Sequence, residues 1–122
     1  MKRAHKKLDV WQEGVSLATN IYQITDSFPK CEVYGLISQM RRAVVSVPSN
    51  IAEGAARYST KEFAQFLSIA GGSLSELDTQ VEIAANLGYL MPQQKEMVDE
   101  RIDSISKKLA GLINVLRKEV EK

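Results

Sequence analysis

The residues best suited to bind phosphate are the adjacent Arg41 and Arg42, because a guanidinium presents a planar fork of donors to phosphate oxygens. On a helix the two side chains leave about 100° apart. They serve either two phosphates or, in the plainer reading, solvent and the acids of a neighbouring helix. Lys2, Arg3, Lys6 and Lys7 form a second basic group, for residues 1–8 hold four cations and no acid in a chain of net charge +1. Such an arm gains a salt-dependent increment of affinity from each phosphate it meets, or is a terminus without a role. Other chemistry finds little to stand on. His5 is the single histidine and Cys31 the single cysteine, so the Glu-x-x-His pairs of di-iron bundles cannot be assembled and an intramolecular disulfide is impossible. Ser/His or Cys/His nucleophile pairs and a dedicated metal site are nearly excluded. Glu76, Asp78 and Glu82 cluster, but Glu76 and Asp78 are two apart and point differently on a helix. No GxxxxGK[ST], GxGxxG or GxSxG occurs. The expectation is a protein that is not an enzyme and holds neither metal nor cofactor.

The elements that must carry these residues are helices. A length of 122 residues with 44% hydrophobic and 25% charged side chains suits one globular domain, and apolar positions recur at three and four rather than two. The first helix is expected from Asp9, as N-cap with Gln12 as capping-box partner, to about Asp26. Its buried stripe is read as Trp11, Val15, Ala18, Tyr22 and Thr25, widened by Leu17, Ile21 and Ile24. Gly14 weakens it by roughly 1 kcal/mol. Pro29 ends that helix, and a second is expected from about Glu32 to Arg57 on the seam Val33, Ile37, Met40, Val44, Val47 and Ile51. Pro48 lies inside that seam and predicts a kink, or else two shorter helices. Ser59 with Glu62 caps a third helix ending near Gly88, with the seam Phe63, Leu67, Ala70, Leu74, Leu77, Val81 and Ala84. Pro92 opens a fourth, with Val98, Ile102, Ile105, Leu109, Leu112, Leu116 and Val120. The fold expected is all-α, an antiparallel up-down-up-down four-helix bundle over residues 9–122 preceded by a basic arm at 1–8.

No apolar segment is long enough to span a membrane, and the N-terminal residues lead into no signal-peptide core. Residence in the cytoplasm is expected.

The segments DVWQEG, YGLISQMRRAVVSVPSNIAEGAARYSTKEF and FLSIAGGSLSELDTQVEIAANLGYL, together covering roughly residues 8–91, resemble the four-helix bundle family of 23S rRNA intervening-sequence proteins. The fourth helix is similar in pattern only. The resemblance implies a bacterial protein that assembles into ring-like homopentamers and whose relatives mostly lack an established activity. Related accessory proteins of diversity-generating retroelements associate with a reverse transcriptase and with nucleic acid.

Two polar stripes are candidate subunit interfaces in such an assembly. One follows Arg42, Ser46, Ser49 or Asn50, Glu53 and Arg57, within the segment that carries the resemblance. The other follows Gln65, Ser68, Gly72, Ser75, Thr79, Glu82 and Asn86, beside Gly71. The Gly71–Gly72–Ser73 run costs roughly 2 kcal/mol of helix propensity, so close approach by another helix, of this bundle or of a neighbour, is expected there. A solvated face is the plain alternative for both. The leading expectation is a homo-oligomeric bundle whose ring offers basic surfaces to RNA or DNA. The alternative is an adaptor that docks a protein partner such as a reverse transcriptase and touches no nucleic acid.

Overall fold

Strict four-and-three spacing of apolar residues gives long amphipathic helices only one way to leave water, against one another. The computed structural model describes residues 3–121. It contains α1 (Asp9–Thr25), α2 (Leu36–Ala55), α3 (Thr60–Asn86) and α4 (Pro92–Glu121), with 3-10 turns at Ala4–Lys7 and Lys30–Glu32 and no strand among the described residues. Each helix packs against its sequence neighbour, and α4 closes the ring against α1. This is the expected up-down-up-down bundle. No helix is long and apolar enough to cross a membrane among the described residues.

Its core is built from fully buried Leu17, Ile21, Met40, Val44, Val47, Ile51, Leu67, Leu77, Val81, Val98, Ile105 and Leu109. Each such side chain contributes about 1.5–3 kcal/mol on removal from water. The seams of α3 and α4 are those expected, except that Phe63 and Leu112 are half-buried and Val120 is exposed. Ser59 accepts a hydrogen bond from the Glu62 amide at 3.2 Å. Gly88, at φ +78°, ends α3 with the amides of Gly88 and Tyr89 donating to Ala85 and Ala84, a Schellman closure.

Three expectations are corrected. Asp9 is not an N-cap: it is the first helical residue of α1, Leu8 precedes it without a side-chain cap, and the Asp9 carboxylate pairs with Lys108 instead. The α1 face turned inward is Val10, Gly14, Leu17, Ile21 and Ile24 with Thr25, while Trp11 and Ala18 are half-buried and Val15 and Tyr22 exposed. Gly14 decides the matter, since a Cβ there would lie 3.3 Å from the Pro48 Cβ. Glycine lets α1 cross α2 at the proline ring, and any other inward face would hold the helices apart. Finally α2 starts at Leu36 rather than Glu32, because the Glu32 carboxylate accepts the Leu36 amide at 3.2 Å from a preceding 3-10 turn. Val33 is left exposed. Through Pro48 the helix runs unbroken, so the two-helix alternative does not hold.

Candidate functional site

The arm is a built element as far as it is described. Lys2 lies outside the described residues. Arg3 leads into the 3-10 turn Ala4–Lys7, which is held by the Gln12 side-chain amide, donating to the Lys6 carbonyl at 2.9 Å, and by His5 set edge-on to Trp11 with ring centroids 5.0 Å apart. Arg3, Lys6 and Lys7 are exposed and form no ion pair among the described residues. His5 stands at the end of an open groove of about 550 Å3 between α1 and α2, whose walls are Trp11, Val15, Ala18, Tyr22, Val45 and Pro48. Ser49, one of the expected interface residues, lies on its rim.

The two arginines part company. Arg41 is half-buried, donates from Nε to the Thr25 hydroxyl at 3.0 Å and from Nη2 to the Tyr22 carbonyl at 3.2 Å, and lies 4.5 Å above the Tyr22 ring. Its charge is thus committed to the carbonyl end of α1, where a cation complements the helix dipole. Arg42 is exposed, with no ion pair or hydrogen bond among the described residues.

Along the first expected interface stripe, Asn50 donates to the Ser46 carbonyl at 2.8 Å and to its hydroxyl at 2.9 Å, and Ser46 shares a 2.8 Å hydrogen bond with Ser73 of α3. The polar residues there stitch α2 to α3. Glu53 pairs with Arg57 one turn on, and Arg57 stacks over Phe66 at 5.0 Å. On the second stripe Ser68 and Ser75 are exposed. A Cβ at Gly71 or Gly72 would meet nothing within 4 Å, so no helix of this chain approaches the pair closely. The close approach occurs at Gly54, where a Cβ would sit 2.8 Å from the Phe66 Cβ.

Polar ties fix the two ends. The Tyr89 hydroxyl donates to Glu32 at 3.0 Å, joining the α1–α2 and α3–α4 connections, and its ring lies against Phe28. Glu32 favours the neutral phenol, first through this hydrogen bond, and raises the Tyr89 pKa above its ordinary 10.0. The tie is therefore whole below pH 10 and lost as pH climbs through the raised value. In an ultraviolet titration, the Tyr89 phenolate, isolated as the difference from Tyr89→Phe, is expected to appear above its ordinary range, and Glu32→Gln is expected to bring it back down. An unchanged curve for Glu32→Gln would break the assignment. Toward the other end, Lys108 reaches Asp9 at 2.6 Å and Glu13 at 2.5 Å, and Ser104 donates to Glu13 at 2.7 Å. There too lies a groove with Lys61 on α3 and Arg117 on α4 across a floor of Ala64, Ile69 and Val120. Periodicity gave no sign of either cation, since both stand on outward positions. No cluster of three or more metal-ligating side chains occurs among the described residues.

The geometry combines an open apolar groove and exposed cations with polar side chains, among them Ser46, Asn50, Ser73 and Tyr89, that tie one element to another. The family described as 23S rRNA-intervening sequence protein matches residues 6–111. A crystal structure of a protein of unknown function from the S23 ribosomal protein family of Bacteroides thetaiotaomicron has a similar fold, with a TM-score of 0.77 at 22% identity, over 85% of this chain and 97% of that one. No curated protein matches the chain.

Proposed function

Since the chain belongs to the 23S rRNA-intervening sequence protein family, we propose that it is a non-catalytic homo-oligomeric bundle of the cytoplasm that brings several basic arms to one RNA or DNA. The pentamer implied by the resemblance is the assembly favoured. One observation carries the reading: the turn that seats His5 at the mouth of the α1–α2 groove is the same turn that exposes Arg3, Lys6 and Lys7. An occupant of the groove and a phosphate backbone would thus engage neighbouring surfaces, and assembly would multiply a cation count that is modest in one chain. Arg42 adds to this basic set, whereas Arg41 stays with α1.

The experiment is binding of structured RNA and duplex DNA as a function of salt, on protein whose native mass is measured in the same buffer. A steep fall of log affinity with log salt is expected, and replacing Arg3, Lys6 and Lys7 by Gln is expected to reduce the slope by roughly 0.9 for each duplex phosphate that an arm then leaves unneutralised. An unaltered slope would remove the arm from the binding surface. An intact oligomer that binds neither probe at low salt would favour the second reading, an adaptor for a protein such as a reverse transcriptase. That reading is supported by the apolar walls of the groove, which suit a partner's amphipathic helix.

A further inference from the structure

We propose that the nucleic acid is taken as a single strand at the end of the bundle where α2 turns into α3, with Tyr58 stacking on an unpaired base; this rests on the nucleic-acid reading above. Tyr58 occupies that turn with a relative exposure of 107%, so its ring packs on nothing in the chain. Arg57 precedes it and Lys61 follows as the second residue of α3. Lys61 in turn lines, with Arg117, the groove floored by Ala64, Ile69 and Val120; Glu121 also lines it, but neither cation has an ion-pair partner among the described residues. Arg57 is held by Glu53 and by the Phe66 ring, so it frames the turn. An exposed ring beside free cations, spread over two helix ends, is what a single strand requires. Its phosphates repeat along a backbone that cations can follow, and its bases offer π-faces that a duplex keeps stacked inside.

The opposite end supplies a comparison within the same molecule. Tyr34 is just as exposed, at 97%, but stands in the α1–α2 connection beside Glu32. At that end α3 and α4 carry Glu76, Asp78, Glu82, Glu96, Asp99 and Glu100 against Lys30, Lys95 and Arg101, with Lys95 already paired to Glu82 and Asp99, whereas the Tyr58 end sets Glu62, Glu119 and Glu121 against Lys61, Arg117 and Lys118 beside the arm. Two equally free tyrosines therefore differ in the balance of charge around them, with acids in excess near Tyr34 and cations in excess near Tyr58. That excess is what draws a phosphate backbone to the Tyr58 end.

The test uses the full chain and two fluorescent probes, a single-stranded RNA without self-complementarity and an RNA duplex of the same length, read by anisotropy. Tyr58→Ala is expected to weaken single-strand binding by about fivefold or more, the loss of one base stack. Tyr58→Phe is expected to retain it, and Tyr34→Ala to change neither probe. Replacing Lys61 and Arg117 together by Gln is expected to weaken single-strand binding and flatten its salt dependence. Single-strand binding that survives Tyr58→Ala, or falls as far with Tyr34→Ala, overturns the inference and leaves the nucleic-acid reading standing. Absence of binding to both probes by the unaltered chain removes that reading and this one with it. Because Tyr58 packs on nothing, its replacement leaves the bundle folded, which circular dichroism verifies.

Discussion

Replacing Gly54 by alanine is expected to destabilise the bundle by about 1–3 kcal/mol, and replacing it by valine to prevent folding. The added Cβ would stand 2.8 Å from the Phe66 Cβ, 2.9 Å from the Phe63 Cδ1 and 3.2 Å from the Phe63 carbonyl oxygen. Two of these are the root of a side chain and a backbone atom, neither of which can swing aside. The helices themselves must separate, and they would do so between α2 and α3. Alanine's better helix propensity, roughly 1 kcal/mol over glycine, offsets only part of the cost. Gly111 supplies the contrast, because nothing lies within 4 Å of a Cβ there. Gly111→Ala is expected to raise stability by up to about 1 kcal/mol. Denaturant midpoints of the two variants should move in opposite directions, and a common direction would dispose of the packing argument.

Val15→Glu is expected to reduce the native mass to that of one chain, 13.6 kDa, without loss of helix. Val15 is exposed on the wall of the α1–α2 groove, so a carboxylate there stays in water while the chain is alone. Covered by a second copy, the same carboxylate would lose its hydration with no uncommitted cation on either wall of the groove to receive it, since Arg41 over the Tyr22 ring is held by Thr25 and the Tyr22 carbonyl. Burying an unpaired charge costs several kcal/mol after relaxation, enough to weaken association by more than a hundredfold. Light scattering reads the mass. The single tryptophan, Trp11, lies in the same groove, and its emission should shift to the red as the groove opens to water. An unchanged mass would move the interface elsewhere, with the α3 face around Gly72 next in line. A wild-type mass of one chain would remove the homo-oligomeric reading altogether.

The bundle was legible because α3 and α4 repeat their apolar residues with a single phase. In α1 two apolar stripes run side by side, Val10–Leu17–Ile21–Ile24 and Trp11–Val15–Ala18–Tyr22, and composition ranks the aromatic one higher. The choice between them lies in a residue with no side chain, Gly14, meeting Pro48 of another helix. Local pattern does not hold that information. Glycines show the same limit, because Gly71 and Gly72 look like a packing site in sequence whereas Gly14 and, more tightly, Gly54 are the ones pressed against a neighbouring helix. Arg41 and Arg42 read as a pair, yet the rotation of one residue sends the first onto Tyr22 and Thr25 and the second into solvent. Tyr58 lies in a turn, outside any periodicity, so nothing in the spacing of residues marks it.

Covalent connection runs from α1 to α2, α3 and α4 in order, and leaves the α1–α4 seam as the one edge that no turn closes. That edge is fastened by Lys108 between Asp9 and Glu13, by Ser104 on Glu13 and by Asn20 on Met97, and the connections beside it are tied by Tyr89 on Glu32. The molecule is in this sense a hinged ribbon rolled into a tube and buttoned along one margin. The lysine and tyrosine ties release in the same direction of pH. Hydrogen bonds from Lys108 to Asp9 and then Glu13 raise its pKa above 10.5, as Glu32 raises that of Tyr89. Alkali discharges the lysine and places a new negative charge before Glu32, so both ties weaken as pH rises while the buried apolar core of Leu17, Ile21, Val98 and Ile105 keeps α1 and α4 together.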